Sequence, residues 1–594
     1  MKNLRKGNYK NLSLLKNKKL NKKEIDKSTL IKIGAIAGAA TVAAIGAKKL
    51  KEKSKVKEEY KVTYVNYEDG KVYFVGGGIA SLAGAAYLIR DCNFNGENIH
   101  IFEGMNILGG SNDGIGTPEG GFVCRGGRML NEETYENLWE LFSSIPSLYM
   151  PGMSVTEEIL NFDHLHPTHA QARLVDKDGV ILDVKSMGFT NAERMALGKL
   201  MMIDEKKLDD LTIEDWFKDM PHFFETNFWH MWQTTFAFQK WSSLFEFKRY
   251  MGRMILEFSR IETLEGVTRT PYNQYDSLIR PLEAYLDKYG VNFHTDTVVT
   301  DIDFKDGEGI TVSKIHVNED GTEKEIELSD NDVCIMINGC MTDCATLGDL
   351  NTAPEFNSAN PISGDLWRKI AVKKEGLGNP EPFFGHPEQT NWESFTVTCK
   401  GNKMLKLIEE FSGNIPGSGA LMTFKDSSWL MSIVVAAQPH FVNQPIDETI
   451  FWGYGLHTDR VGDYVKKPMR DCTGKELLTE LIYQLHMEEH LDEIMDSVVN
   501  VIPCMMPYVD SQFQPRKMSD RPQVVPEGST NFAMISQFVE IPEDMVFTDE
   551  YSIRAARIAI YKLFNVKDKK VCPVTEYKKN PKVLKMALKT AYRK

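Results

Sequence analysis

A strand, a glycine turn, a helix, a second strand and an acid succeed one another over residues 71–103. This order constrains the fold more than any other feature of the chain. Lys71–Val75 (KVYFV) is apolar enough for a strand buried on both faces of a parallel sheet. Gly76-Gly77-Gly78-Ile79-Ala80-Ser81 follows without a gap, and then the helical run Leu82–Arg90. His100–Phe102 reads as the next strand and ends in Glu103. Gly76 permits the tight turn, Gly78 lets a pyrophosphate approach the backbone at the helix N-terminus, and small Ser81 sits where helix and strand must pack closely. Glu103 is placed to accept hydrogen bonds from ribose hydroxyls, and a carboxylate there repels a 2′-phosphate, which argues against NADP. A glycine turn alone is weak evidence. With a strand before it and an acid after it, a dinucleotide site is the expectation.

Further glycine pairs favour FAD over NAD. Gly109-Gly110-Ser111 lies just past the second strand, and Arg125-Gly126-Gly127-Arg128 follows. Glycine pairs let a cofactor lie against backbone. Far downstream, Asp332–Gly339 (DVCIMING) reads as a strand returning to the nucleotide domain, and Asn531–Val539 precedes a helix near Ser552–Leu563. A nucleotide domain assembled from such distant segments suits a flavoprotein better than a simple NAD dehydrogenase.

The 594 residues exceed a single core, so two to four domains are expected. The net charge of −13 is unevenly spread. Residues 1–57 hold 17 Lys and Arg against three acids, which leaves an acidic body and argues against nucleic acid as a partner. Nine scattered cysteines without a CxxC pair disfavour a disulfide framework or a zinc site and fit a reducing, cytoplasmic compartment. No metal is expected.

Within the basic tail, Ile33–Ala47 is apolar and small, and Lys48, Lys49, Lys51 and Lys53 follow. A cleaved signal, a transmembrane anchor and a helix held at an anionic membrane surface compete there with a solvated tail. The run is shorter than the about 20 residues that span a bilayer. At the other end, Pro581–Lys594 places Val583, Leu584, Ala587, Leu588 and Ala591 on one helical stripe among lysines. It reads equally as a membrane-surface helix or as a terminal helix docked on the body.

The chain resembles the oleate hydratases of the myosin-cross-reactive antigen family from about residue 70 to 565. The resemblance rests on VGGGIASLAGAAYLIRD, LGGSNDG, RGGR at Arg125–Arg128, LWELFSSIPS, FAFQKW at Phe236–Trp241 and YNQYDS at Tyr272–Ser277. It continues through QPHFVNQP at Gln438–Pro445, MPYVDSQFQPRK and QFVEIPEDMVFTDEYS. It implies an enzyme that adds water across a cis double bond of a free unsaturated fatty acid, such as oleate or linoleate. It implies FAD without net redox, most active as FADH2, and dimerisation. Val299 and Ser536 join the cofactor positions it implies.

The resemblance also places the chemistry. The family's proton-donating tyrosine matches Tyr250, in SSLFEFKRYMGRM. The water-activating carboxylate usually follows RGGR directly, and here that position is Met129, a thioether that cannot take a proton. Glu132 and Glu133 lie near, and backbone around Gly126-Gly127 or the flavin are alternative holders of the water. The fatty-acid carboxylate is expected at Gln274 and His440. Two further polar positions of that clamp fall at Val434 and Ala436, so an altered chain-length or double-bond preference is expected. Phe223–Phe247 is dense in Phe and Trp and suits the wall of an apolar tunnel or a helical core.

The expected architecture is a multi-domain α/β flavoprotein with a Rossmann-like FAD domain from 65–145, 265–350 and 500–565. A largely helical substrate domain at 146–264, a mixed cap lobe at 351–499, a basic N-terminal tail at 1–60 and a C-terminal basic segment at 566–594 complete it. Two other functions compete: a redox flavoenzyme acting on a lipid or amine, and a membrane-associated fatty-acid-binding flavoprotein without catalysis.

Overall fold

The computed structural model describes residues 69–125, 129–419 and 421–593. At its centre lies a five-stranded parallel sheet in the order Phe532–Met534, Val333–Met336, Val72–Val75, Ile99–Phe102, Asn292–His294. Every residue of Val72–Val75 and of Val333–Met336 is buried, which is why both read as continuous apolar runs. The helix Ile79–Cys92 lies on this sheet, so close that a Cβ on Gly84 would sit 2.7 Å from the ring of Phe74. The helix Asp549–Leu563 packs beside it. The sheet thus joins strands drawn from residues 72 to 534, each supplied by one of the three segments assigned to the FAD domain. A three-stranded antiparallel sheet, Thr297–Phe304, Val312–Glu319 and Thr322–Glu327, follows in the second of those segments.

A second, seven-stranded sheet has the order Thr346–Leu347, Val498–Met506, Trp392–Lys400, Glu448–Gly455, Met431–Val434, Leu421–Phe424, Leu174–Val175. Its last pair is parallel and the others are antiparallel. Strand periodicity gives the sheet two apolar faces. Phe395, Val397, Met431, Ile433 and Phe451 form one core with the helices Lys403–Ser412 and Gly474–Gln484. Trp392, Trp452, Tyr454, Val434 and Leu421 face the other way and join the main core. The mostly helical stretch 146–264 therefore contributes a strand, Leu174–Val175, to the edge of this sheet. Its helices start at clear sequence signals: Ser154 with Glu157, Thr190 with Glu193 and Thr212 with Asp215 each close a capping box.

The C-terminal helix Pro581–Ala591 is docked on the body. Val583 and Thr590 are buried, Arg194 Nε donates to the Ala591 carbonyl at 2.6 Å, and Arg593 pairs with Glu262 at 2.5 Å. The apolar stripe read from the sequence is split by this docking, because Leu584 and Leu588 stay exposed together with Met586 and Tyr592. Among the described residues no helix is long and apolar enough to cross a membrane. Ile33–Ala47 and the basic tail lie outside the described residues.

Candidate active site

The glycine turn forms one wall of a cleft of about 390 Å³. Gly76 has φ +95°, and Gly78 caps the helix Ile79–Cys92 without a side chain, while the first turn of that helix carries no acid. The N–H groups and the positive end of the helix dipole therefore face the cleft unobstructed. The second glycine pair packs against the first. Gly109 N–H donates to the Gly77 carbonyl at 2.9 Å, and a Cβ on Gly110 would stand 3.3 Å from Gly78 Cα. Glu103 is fixed by two backbone donors, Gly77 N–H at 2.8 Å and Met105 N–H at 2.9 Å. Burial raises its carboxyl above the usual range, and those two bonds oppose the shift.

Gly76, Gly78, Glu103, Gly109, Gly110, Ser111, Arg125, Val299 and Ser536 all line this cleft. Arg125 is held there by Asp113 at 2.5 Å and by the Thr342 carbonyl at 3.3 Å. Ser81 is not on the wall. It is fully buried beneath the turn, where its small side chain lets helix and strand approach. Gly126 and Gly127 lie outside the described residues. A backbone cradle at a helix N-terminus, with a carboxylate 25 residues past Gly78, fits an adenine dinucleotide.

A second, narrower chamber surrounds Tyr250, on the helix Leu244–Arg253. Glu246, Arg249 and Arg253 share one side of this helix at spacings of three and four. Glu246 is buried against Arg516 at 2.9 Å, Arg249 meets Glu540 at 2.6 Å, and Arg253 meets Asp544 at 3.0 Å and Glu136 at 2.6 Å. These ion pairs bolt the helix to residues 516–544 and fix the direction of Tyr250. Its ring is buried with Phe236, Phe238 and Phe513 at centroid distances of 5.4, 5.0 and 5.7 Å. Its hydroxyl donates to the Val546 carbonyl, and burial pushes its pKa well up, so the phenol keeps its proton at neutral pH.

Met129 lines the same chamber, with Tyr135, Thr234, Trp392, Val434 and Asp549. Tyr135 donates to the Met129 carbonyl at 3.2 Å. Glu132 and Glu133 do not reach it. Glu133 pairs with Arg260 at 3.0 Å, and Glu132 is half exposed beside His164. Most of the Phe223–Phe247 aromatics pack on one another, and of that stretch Thr234, Thr235, Phe236 and Ala237 reach the chamber wall.

Beyond it a small pocket joins Gln274 and His440 with Ala436, Thr270, Trp452 and Arg269. Asn273 ties the two segments together, since its backbone and side-chain nitrogens both donate to the His440 carbonyl, at 2.8 and 3.1 Å. Gln274 Nε2 donates to Thr270 Oγ1 at 3.4 Å. His440 Nε2 is buried with no hydrogen-bond partner. Burial, and then the charge of Arg269, lower the imidazole pKa to about 4, so it is neutral. Arg269 and Trp452 line both this pocket and the tyrosine chamber, which makes them neighbours in one channel.

Two residues of this channel escaped the sequence reading. Asp549 stands at the first turn of the helix Asp549–Leu563, and Asn112 Nδ2 donates to its Oδ1 at 2.8 Å. Arg269 lies three residues before the YNQYDS stretch. In a sequence, both look like ordinary surface charges.

A dinucleotide cleft on a parallel sheet, beside a buried aromatic channel roofed by an antiparallel sheet, defines a protein of the flavoenzyme fold. Solved structures of putrescine oxidase and of cyclohexylamine oxidase from Brevibacterium oxydans IH-35A share it, each with a TM-score of 0.50. They are 11% and 12% identical, and in both cases 84% of this chain and 99% of the other are covered. The chain belongs to the MCRA family, whose model matches residues 69–561. It is 39% identical to a linoleate hydratase of Lactiplantibacillus plantarum, covering 88% of this chain and 98% of the relative. It is 38% identical to an oleate hydratase of Streptococcus pyogenes serotype M49, covering 83% and 85%.

Proposed function

We infer that the protein is a fatty acid hydratase, a hydro-lyase that adds water across a cis double bond of a free unsaturated fatty acid. The observation that carries this is the near full-length match to two fatty acid hydratases, combined with a protonated tyrosine buried in an apolar channel. FAD is the cofactor assigned to the cleft, and its reduced form, when bound, supplies an electron-rich ring that favours positive charge developing on the substrate.

Tyr250 donates the proton to one alkene carbon. A buried phenol is a weak acid, so proton release has to be coupled to water addition at the other carbon. Met129 cannot hold or deprotonate that water. Asp549 is the carboxylate on the chamber wall, and we assign it the water: it accepts the second proton, which then restores Tyr250. Atoms balance, with one hydrogen and one hydroxyl added and no net redox. Gln274 and His440 hold the carboxylate end, and Val434 and Ala436 supply none of the expected polar support there.

Incubation with reduced FAD and oleic, linoleic and longer acids in ¹⁸O-labelled water, without oxygen, tests this reading. A labelled hydroxy acid is expected, and product without label would sink it. A membrane-surface role for the C-terminal helix is supported by exposed Leu584, Met586 and Leu588 beside Lys585 and Lys589. Reversing both lysines to Glu should weaken binding to phosphatidylserine vesicles, at about 1 kcal/mol per charge. Sedimentation of the flavin-loaded protein tests the dimer.

A further inference from the structure

One cation in the substrate channel keeps buried donors without a hydrogen-bond partner. Arg269 leaves a rigid backbone: Thr268, before it, exchanges two hydrogen bonds with Leu130, and Arg269 N–H itself donates to Asp163 Oδ1 at 2.9 Å. Its side chain runs along the wall shared by the tyrosine chamber and the Gln274–His440 pocket. Nε and Nη2 of its guanidinium are buried and have no hydrogen-bond partner. Buried Arg173 nearby shows the contrast: it spends Nε, Nη1 and Nη2 on the Ile261 and Leu421 carbonyls and on Thr235 Oγ1. Burial lowers the Arg269 pKa to about 10 and the nearby Asp163 carboxylate opposes that shift, so the group is a cation at neutral pH.

The other polar groups that line this pocket are neutral, and nearby Asp163 accepts from the Arg269 backbone N–H with one carboxylate oxygen. His440 presents a buried Nε2 without a partner, and Gln274 and Thr270 add uncharged groups. A buried guanidinium with two unused donors facing a pocket of otherwise neutral lining suits an ionised carboxylate better than a neutral headgroup. The guanidinium fork suits the two carboxylate oxygens better than an ammonium would.

We propose that Arg269 is the specificity residue that selects the ionised free acid, with His440 and Gln274 as neutral supporting groups. This rests on the hydratase reading above and adds the charged member that its carboxylate subsite lacked.

The test measures binding of oleate, oleamide and oleyl alcohol to the full-length, flavin-loaded protein by calorimetry at pH 8. Wild type should favour oleate over both neutral analogues by about 10-fold or more. Equal affinity for oleate and oleamide in the wild type overturns the proposal without any variant. Arg269→Gln should weaken oleate about 10- to 100-fold, leave oleyl alcohol within about 3-fold, and erase the preference. Arg269→Lys should keep part of it. If Arg269→Gln retains the preference while Gln274→Ala or His440→Ala removes it, the subsite stands and Arg269 is not its charge. If none of the three changes it while Tyr250→Phe still abolishes hydration, the hydratase reading survives and this placement of the carboxylate falls.

Discussion

The dinucleotide cleft and the tyrosine channel are neighbours built by opposite means. The cleft is made largely of backbone: Gly76, Gly78, Gly109 and Gly110 contribute by having no side chain, and its largest continuous share of wall lies within residues 75–125. The channel is made of side chains. Its wall is assembled from residues near 129, 235, 250, 269, 434, 452 and 549, brought together from helices, loops and the seven-stranded sheet. The difference teaches where each site is vulnerable. The cleft fails when a side chain is added, and the channel fails when one is changed.

Substitutions should separate the two. The largest effect is expected for Tyr250→Phe, which removes the proton and keeps the ring packing: turnover should drop about 10³-fold with flavin binding unchanged. Loss of flavin in this variant would break the separation. Asp549→Asn keeps the size and the contact with Asn112 and removes the base, so about a 10²-fold loss of turnover is expected, again with flavin retained. Unchanged rates would return the water to backbone or flavin.

The cleft should behave in the opposite way. Gly76→Ala forces an L side chain to φ +95° and places its Cβ 3.2 Å from Ile337. A cost of about 1–2 kcal/mol is expected, read as lower flavin occupancy, while fatty-acid affinity stays as it was. A parallel fall in fatty-acid affinity would show that the two sites are one mechanical unit.

A last effect concerns pH. His440 titrates near 6.5 in an unfolded chain and near 4 when folded. Between those values the unfolded state binds more protons, so stability falls as pH drops from 6.5 towards 4, by up to about 3 kcal/mol for this group. Melting curves of His440→Asn should lose less on acidification than those of the wild type. Identical slopes would place the acid sensitivity elsewhere, for example at His457, whose pKa burial also lowers to about 4.

What was legible followed from locality. The turn, the helix after it and Glu103 were all readable, because strand, turn and helix N-terminus need only adjacent residues in the right order. The C-terminal helix was readable as a helix, but not which of its faces is docked. That depended on Glu262 and Arg194, more than 300 residues away. Ser81 was readable in the same way as the turn: the small residue at the close helix–strand approach is fully buried beneath the turn.

The chain order by itself determined a parallel nucleotide sheet, a cofactor cradle and a family resemblance strong enough to mark Tyr250. Only the tertiary structure decided which charges line the channel. Glu132 and Glu133, near Met129 in sequence, turn towards His164 and Arg260 respectively, whereas Asp549, about 420 residues away, lines the chamber. Arg269 became distinctive for the same reason. A charge is ordinary or functional according to whether water or a partner surrounds it, and burial is a property of the packed chain that no local stretch of sequence carries.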